Sequence, residues 1–256
     1  MGRAMLQAIL AKSLSTPEEI TVSDKNEARL KQLKQDFNVY IIKDNLEAVA
    51  RGDVIVLAIK PQNLDEVMDE ISGRLKSDQL VLSIIAGKSI MTLSQGLKHN
   101  AFVRAMPNTP AQIGQGMTVW TTTAEVTEKQ KASVGSILKA MGKEIYVKDE
   151  SVIDIATAVS GSGPAYVFLF MESLINAALD IGLPQDIARE LVLQTVKGSV
   201  EYSNQSDKEL AQLREMVTSP GGTTAEALKV FETGRFSELV KQAVAAAYNR
   251  AKQLGG

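Results

Sequence analysis

The sequence predicts an α/β fold: an N-terminal Rossmann-type parallel sheet followed by an all-α C-terminal domain. Three observations point there. Strand-length apolar runs alternate with helical periodicity through the first 150 residues. Two of those runs, Val54–Ile59 and, apart from Ser83, Val81–Ile85, are apolar throughout, as in strands covered on both faces. From about Ser151 onward the strand pattern stops and only helical periodicity remains. The expected domains are therefore residues 1–150 and residues 151–256.

The elements follow in order. A helix over Arg3–Ser13 is expected before a β-like run at Glu19–Ser23, then a helix over Asn26–Asp36 and a strand at Val39–Ile42. A short helix near Leu46–Arg51 precedes the strand Asp53–Ile59, and a helix over Gln62–Leu75 precedes Leu80–Ile85. The helix Met91–Lys98 leads to the strand Phe102–Met106. Strands at Gly116–Thr121 and Glu144–Val147 flank the helix Thr127–Met141. The second half reads as helices over Val152–Val159, Ala165–Gly182, Gln185–Asn204, Lys208–Val217 and Thr224–Leu254, the last broken at Gly234. The stretch Ala165–Ile181 is apolar nearly all round, so it has to be buried on every side. A domain of about 105 residues can hardly do that alone, and a subunit interface is expected there.

Composition narrows the function. The chain has 256 residues, 45% hydrophobic and 23% charged, which suits two globular domains with real cores. Lys and Arg total 28 against 30 Asp and Glu, a net charge of -2 without a strong block of either sign. That argues against a nucleic-acid or polybasic membrane-surface role. There is no cysteine and one histidine, His99, so no disulfide, thiolate nucleophile, Ser/His/Asp set or two-imidazole metal site is expected. His99 ends a polar helix and reads as a surface residue. The longest apolar run, Ala165–Met171, is seven residues, whereas a membrane span needs roughly 20. No signal peptide is read at the start, and a cytoplasmic location is expected.

The start of the chain is unusual. A doubly wound nucleotide-binding unit opens with a strand, then a Gly-rich turn, then a helix whose amides hold a pyrophosphate. Here Met1-Gly2-Arg3 leads directly into the helix, with Gly2 placed as the last glycine of such a turn. Taken alone, Gly2 reads equally well as a residue that merely follows an initiator methionine. The uncapped helix favours a missing first strand, and with it a gap in the sheet's hydrogen-bond ladder.

Strand carboxyl ends face the ligand crevice in such sheets. Ser23-Asp24-Lys25-Asn26, with Arg29 one turn on, ends the first strand of this chain. An acid there accepts the ribose 2′-OH of NAD, while hydroxyls and bases suit the 2′-phosphate of NADP. Ser23, Lys25 and Arg29 lean towards NADP, and Asp24 keeps both open. The loops Lys60-Pro61-Gln62, Ala86-Gly87-Lys88 and Met106-Pro107-Asn108-Thr109-Pro110 lie at the same edge. Gly87 would admit a flat nicotinamide ring, and Asn108 or Thr109 would bond an amide.

Two Gly-rich segments mark the helical half. Ser160-Gly161-Ser162-Gly163-Pro164 opens the apolar helix. Pro220-Gly221-Gly222-Thr223-Thr224 opens another, where Thr223 and Glu226 read as a capping box. Capping alone explains Thr223, Glu226 and Pro164. It explains the glycine pair less well, because bare amides beside hydroxyls make a compact carboxylate site. No Gly-Lys-Ser/Thr is present, so a P-loop is excluded. The acids Asp65, Glu66, Asp69 and Glu70 read as a solvated helix face.

Taken in order, Ala58-Ile59-Lys60-Pro61, Ala86-Gly87, Met106–Pro110, Ser160–Tyr166 and Ser219–Leu228 resemble the pyrroline-5-carboxylate reductase family over nearly the whole chain. The resemblance implies reduction of 1-pyrroline-5-carboxylate to L-proline by NADPH, with NADH possible. It also implies a helical domain that dimerises by intertwining, with dimers in some members assembling into decamers. On the family pattern, Gly221, Gly222 and Thr223 would hold the substrate carboxylate beside Ser219, and Thr224 would be the catalytic hydrogen-bond donor to the ring nitrogen. Gly2, Ser23, Asp24, Lys25, Asn45, Ala58, Lys60, Pro61, Ala86, Gly87, Met106 and Asn108 would line the cofactor. No metal is implied, and no nucleic-acid or membrane partner. The family carries a strand and Gly-x-Gly ahead of Met1-Gly2, so about ten residues are expected to be missing. Two other readings remain: a non-catalytic regulatory paralogue, or a different Rossmann-plus-helical dehydrogenase using Lys197 or Lys229.

Overall fold

The computed structural model describes residues 1–255 and divides into two compact units. Met1–Ser162 and the segment from Ala247 onward form one, and Gly163–Ala246 the other. The first contains seven strands in two pieces. β1 (Thr21–Ser23) and β2 (Tyr40–Ile42) pair in parallel as a two-stranded piece. β3 (Val54–Leu57), β4 (Leu80–Ser83), β5 (Phe102–Pro107), β6 (Gly116–Thr122) and β7 (Gly142–Tyr146) form a five-stranded piece in that order. Every ladder is parallel except that between β5 and β6. Residues 108–115 are too few for a crossover helix, so the chain turns back and pairs antiparallel.

β1 and β3 share no ladder, so each keeps one edge unpaired among the described residues. What spans the division is α1 (Gly2–Ala11). Its Leu6 is buried with Leu33 and Val39, against which Val22 and Ile41 of the two-stranded piece pack, while Met5 is buried with Leu80, Leu82 and Val103 of the other. A fully buried leucine or methionine contributes about 1.5–3 kcal/mol, so one helix contributes a core residue to each half.

The remaining helices are placed by their caps and apolar faces. α2 (Glu27–Phe37) starts at Asn26, whose side chain accepts from the Arg29 amide, and α3 (Asn45–Arg51) starts at Asp44, which accepts from Leu46 and Glu47. α4 (Leu64–Ile71) and α5 (Ile90–Leu97) pack with α3 against Leu57, Val81 and Phe102. α6 (Glu128–Ala140) joins α1 on Leu80, Leu82 and Val103. Alternate residues of β4 thus serve opposite clusters, and all four, Ser83 included, are buried.

His99 corrects the sequence reading. It is buried, its Nε2 lies 2.8 Å from the Gln79 carbonyl, and its ring meets Phe102 edge-on. Lys98 ends α5 in the left-handed conformation at φ 53°, and the polar tail of the helix therefore turns His99 inward.

α7 (Ser151–Ala156) runs through a π-helical turn, Thr157–Gly161, into α8 (Gly163–Asp180). Ser160 and Gly161 belong to the π-helical turn, Ser162 is the bend after it, and Gly163 and Pro164 open α8, as expected of this segment. Residues 151–180 together form a helix long and apolar enough by length and composition to cross a membrane, which the short apolar runs did not reveal. α9 (Gln185–Gln205), α10 (Leu210–Met216), α11 (Thr223–Thr233) and α12 (Phe236–Gly255) complete the chain. Within 163–246 only Ala188 and Val192 are buried, while Phe168 and Leu169 are 59% and 63% exposed. An apolar helix left in that state lacks the cover it needs.

The open edges of β1 and β3 generate a prediction. A strand-forming segment ending in Gly-x-Gly, fused ahead of Met1, should raise the thermal midpoint and slow amide exchange in β1 and β3. Unchanged exchange at both strands would show that their edges do not accept a strand.

Candidate functional site

In the first unit the sequence-predicted residues gather at the carboxyl ends of β1, β3, β4 and β5. α1 begins at Gly2 with Met1 at the N-cap and no side-chain hydrogen bond, so its first amides have no intrahelical acceptor. A Cβ on Gly2 would stand 3.1 Å from the Cβ of Ala58, and glycine lets the helix start sit close to the loop after β3. Bare amides at a helix N-terminus are suited to a phosphate.

At the end of β1, Ser23 Oγ donates to Asn45 Oδ1 at 2.8 Å, and the Asn45 amide donates in turn to Glu70. Asp24 accepts from the Asn26 amide at 2.8 Å and from Arg29 at 2.7 Å, so both of its oxygens are engaged. The Lys25 ammonium meets Glu66 and lies 3.4 Å from Glu70. The hydrogen bond to Glu66 holds the Lys25 pKa above its ordinary value, with Glu70 adding to it against a small desolvation penalty. Glu66 and Glu70 are therefore part of this corner. Their four-residue spacing on α4 is the signal that could have marked them as a pair facing one base.

Lys60 and Pro61 open a 3-10 turn after β3, with Lys60 exposed. Ala86 and Gly87 follow β4, and here the structure departs from expectation. Gly87 has φ +71°, and a Cβ there would lie 2.6 Å from the Cβ of Leu254. The glycine accommodates the end of α12 rather than an open approach for a flat ring. Met106 packs beside Gly161, where a Cβ would come within 3.2 Å of the methionine methyl group. Asn108 donates to the Ser160 carbonyl at 3.0 Å and accepts from the Met117 amide at 2.9 Å. Its side chain joins β5 to the π-helical turn and to β6.

The second unit holds the other predicted cluster. The Gly222 amide donates to the Ser219 carbonyl at 3.0 Å, with Pro220 next and Gly221 at φ +69°, the pattern of a type II turn. α11 begins immediately after it, with Gly222 at the N-cap and no side-chain cap bond. Two corrections follow. Thr223 is the first helical residue, so it does not form a capping box with Glu226. The Gly222 amide is spent on the turn, and the amides left for an anion are those of Thr223, Thr224 and Ala225. Thr224 is half-buried and Thr223 exposed.

A groove of about 820 Å³ lies elsewhere in the first unit, between α1, residues 111–117 and the start of β7. It contains none of the predicted residues. Lys12 and Lys139 stand at the carboxyl ends of α1 and α6, where lysines offset the helix dipole. Among the described residues no group of three or more His, Cys, Asp or Glu is arranged to hold a metal ion.

Comparison with known proteins identifies both halves. Residues 150–254 match the family model described as pyrroline-5-carboxylate reductase dimerisation, and residues 1–87 match the model for NADP oxidoreductase, coenzyme F420-dependent. The pyrroline-5-carboxylate reductase of Synechocystis is 40% identical over 255 residues, covering 100% of this chain and 95% of the relative. That of Pseudomonas aeruginosa is 40% identical over 237 residues, covering 92% of this chain and 87% of the relative. The crystal structure of the Plasmodium falciparum reductase with NADP bound superposes with a TM-score of 0.92 at 35% identity, covering 100% of this chain and 95% of that one.

Proposed function

Since the chain belongs to the pyrroline-5-carboxylate reductase family, we infer that it catalyses the last step of proline biosynthesis, the NAD(P)H-dependent reduction of 1-pyrroline-5-carboxylate to L-proline. Within the chain, the observation that carries the reading is the start of α11. Unspent amides at 223–225 stand beside two hydroxyls, a site suited to a carboxylate next to a hydrogen-bonding ring nitrogen.

The first unit fits the cofactor on its own features: uncapped amides at α1 for the pyrophosphate, and Ser23, Lys25 and Asn45 for the adenosine ribose or its 2′-phosphate. Asp24, Ala58, Lys60, Pro61, Ala86, Met106 and Asn108 complete that edge in our proposal, with Gly2 and Gly87 setting close packing. When bound, NADPH supplies a hydride to the imine carbon. The chain's own task is then alignment. The Thr223–Ala225 amides hold the carboxylate, Ser219 and Gly221–Gly222 shape the turn that presents them, and Thr224 Oγ donates to the ring nitrogen. An iminium already carries its proton, so a strong acid is unnecessary, which suits a site without histidine or cysteine.

The exposed apolar faces of α8 and α9 support a homodimer through the helical domain, and we propose that the substrate loop of one subunit serves the cofactor edge of its partner. We place the reaction in the cytoplasm, where reduced nicotinamide cofactor is available. The direct test is NADPH oxidation dependent on 1-pyrroline-5-carboxylate, with proline as product, by protein whose size is fixed by sedimentation. Turnover by a dimer is expected, and a decamer would sediment far faster. A well-folded chain that stays monomeric at micromolar concentration, or one that binds NADPH without turning over, overturns the corresponding part.

Thr224→Ala should lower turnover by about tenfold or more, the scale of losing one positioned donor, while NADPH affinity stays within about twofold. Equal losses in both would remove Thr224 from the chemistry. Glu66→Gln should release Lys25 for a 2′-phosphate. Because an exposed ion pair is weak, NADPH affinity relative to NADH should rise only modestly, by roughly 1.4- to 5-fold, and more at low salt. An unchanged ratio would exclude Lys25 from cofactor discrimination.

A further inference from the structure

We propose that Arg104 is a positioning residue for the reduction, fixing the loop after β4 and the π-helical turn against the carboxyl end of β5; this rests on the reductase reading above. Arg104 lies within β5, two residues before Met106, and its side chain is 4% exposed. Nη1 donates to Glu150 at 2.7 Å and Nη2 to Asp154 at 2.6 Å. Nε is buried without an acceptor among the described residues. In the sequence it is a lone charge that interrupts an otherwise apolar strand.

A buried charge kept with one donor unsatisfied is a poor way to gain stability, since desolvation offsets most of the attraction. What the guanidinium supplies is geometry: a planar fork that reaches two carboxylates at once. Those carboxylates stand just before and within α7, four residues apart. Glu150 Oε1 also accepts from the Ile90 amide at 2.8 Å, the first residue of α5. One carboxylate oxygen thereby anchors both the strand and the end of the Ala86–Ser89 loop.

α7 carries the constraint onward. It continues into the π-helical turn, whose Ser160 carbonyl takes the Asn108 amide and whose Gly161 packs on Met106. Arg104, Met106 and Asn108 are alternate residues of one strand and its exit, and each contacts the α7–π-turn segment. The segments 86–89 and 106–108, at the proposed cofactor edge, and the turn at 160–161 are thus set relative to one another through a single guanidinium. Misplacement by about 1 Å at such a site costs on the order of 100-fold in rate.

The test uses Arg104→Lys, which keeps the charge but not the fork, and Asp154→Asn, which leaves the Glu150 arm intact. In the ligand-free protein, both variants should speed amide exchange at 86–90 and 157–161, relative to unchanged exchange in β6. In the reductase assay, kcat should fall about tenfold or more for Arg104→Lys and less for Asp154→Asn, with KM for NADPH within about twofold. The deuterium isotope effect from labelled NADPH should rise as hydride transfer becomes more limiting. A purely structural role would lower the thermal midpoint while leaving kcat per folded subunit and the isotope effect unchanged, and that result overturns the proposal. If Arg104→Lys does not fold, Asp154→Asn decides by the same readouts. A wild-type chain inactive with the substrate refutes the reductase reading instead, and the exchange data then judge the clamp alone.

Discussion

Residues 163–246 form five helical segments, if the first part of α12 is included, yet bury only two side chains, and this shortage of interior governs how the molecule can work. Ordering a backbone costs about 1–2 kcal/mol per residue, and burial of apolar side chains at about 1.5–3 kcal/mol each is the main term that offsets it. With Val167, Phe168, Leu169 and Phe170 open, that offset is absent within one chain. Cover from outside the chain would supply it, and residues 150–254 match a family model described as dimerisation. The turn at Ser219–Gly222 and the first residues of α11 sit on this unit, so the shape of the proposed carboxylate site depends on association.

The first unit rests on a different source of stability. β4 and β5 are buried on both faces, and α3 to α5 on one side and α1 with α6 on the other fill two separate clusters. Its weak line is the boundary between β1 and β3, which no ladder crosses. α1 holds that boundary with Leu6 and Met5, and α3 adds to it: Arg51 lies over the Tyr40 ring at 3.9 Å and bonds Thr21, while Asn45 receives Ser23. These contacts also set the position of Ser23 and Asn45, so the adenosine-side geometry and the integrity of the divided sheet share the same residues.

Much of this was legible in the sequence, for identifiable reasons. Val54–Leu57 and Leu80–Ser83 are apolar on both faces, and long helices such as α6 and α9 repeat their pattern often enough to be located within a few residues. The divided sheet followed from a helix without a cap or preceding strand. What was hidden depended on contacts distant in sequence. His99 turns inward because Lys98 adopts φ 53°, which no periodicity records. Thr223 matches a capping box, but the turn closed by Gly222 shifts the helix start by one residue. Gly87 meets Leu254, a residue 167 positions further on, and composition cannot anticipate that approach. Arg104 and Glu150 are likewise distant partners, 46 positions apart, and nothing local pairs them.

The chemistry explains why so little of the site announces itself. Reduction of an imine by hydride needs a donor carbon and an acceptor carbon held in line, with a hydrogen bond at nitrogen, and it needs no shifted acid, thiolate or metal. Selection on such a site acts on spacing. The residues that matter most are then glycines, amides and one threonine hydroxyl, together with whatever fixes the elements that carry them. Arg104 belongs to that last group, because a buried guanidinium shared by two carboxylates constrains three loops without touching a reactant. On the proposed reading, association would order the substrate side and this clamp the cofactor side, so that weakening the dimer would act on turnover and loosening the clamp on alignment.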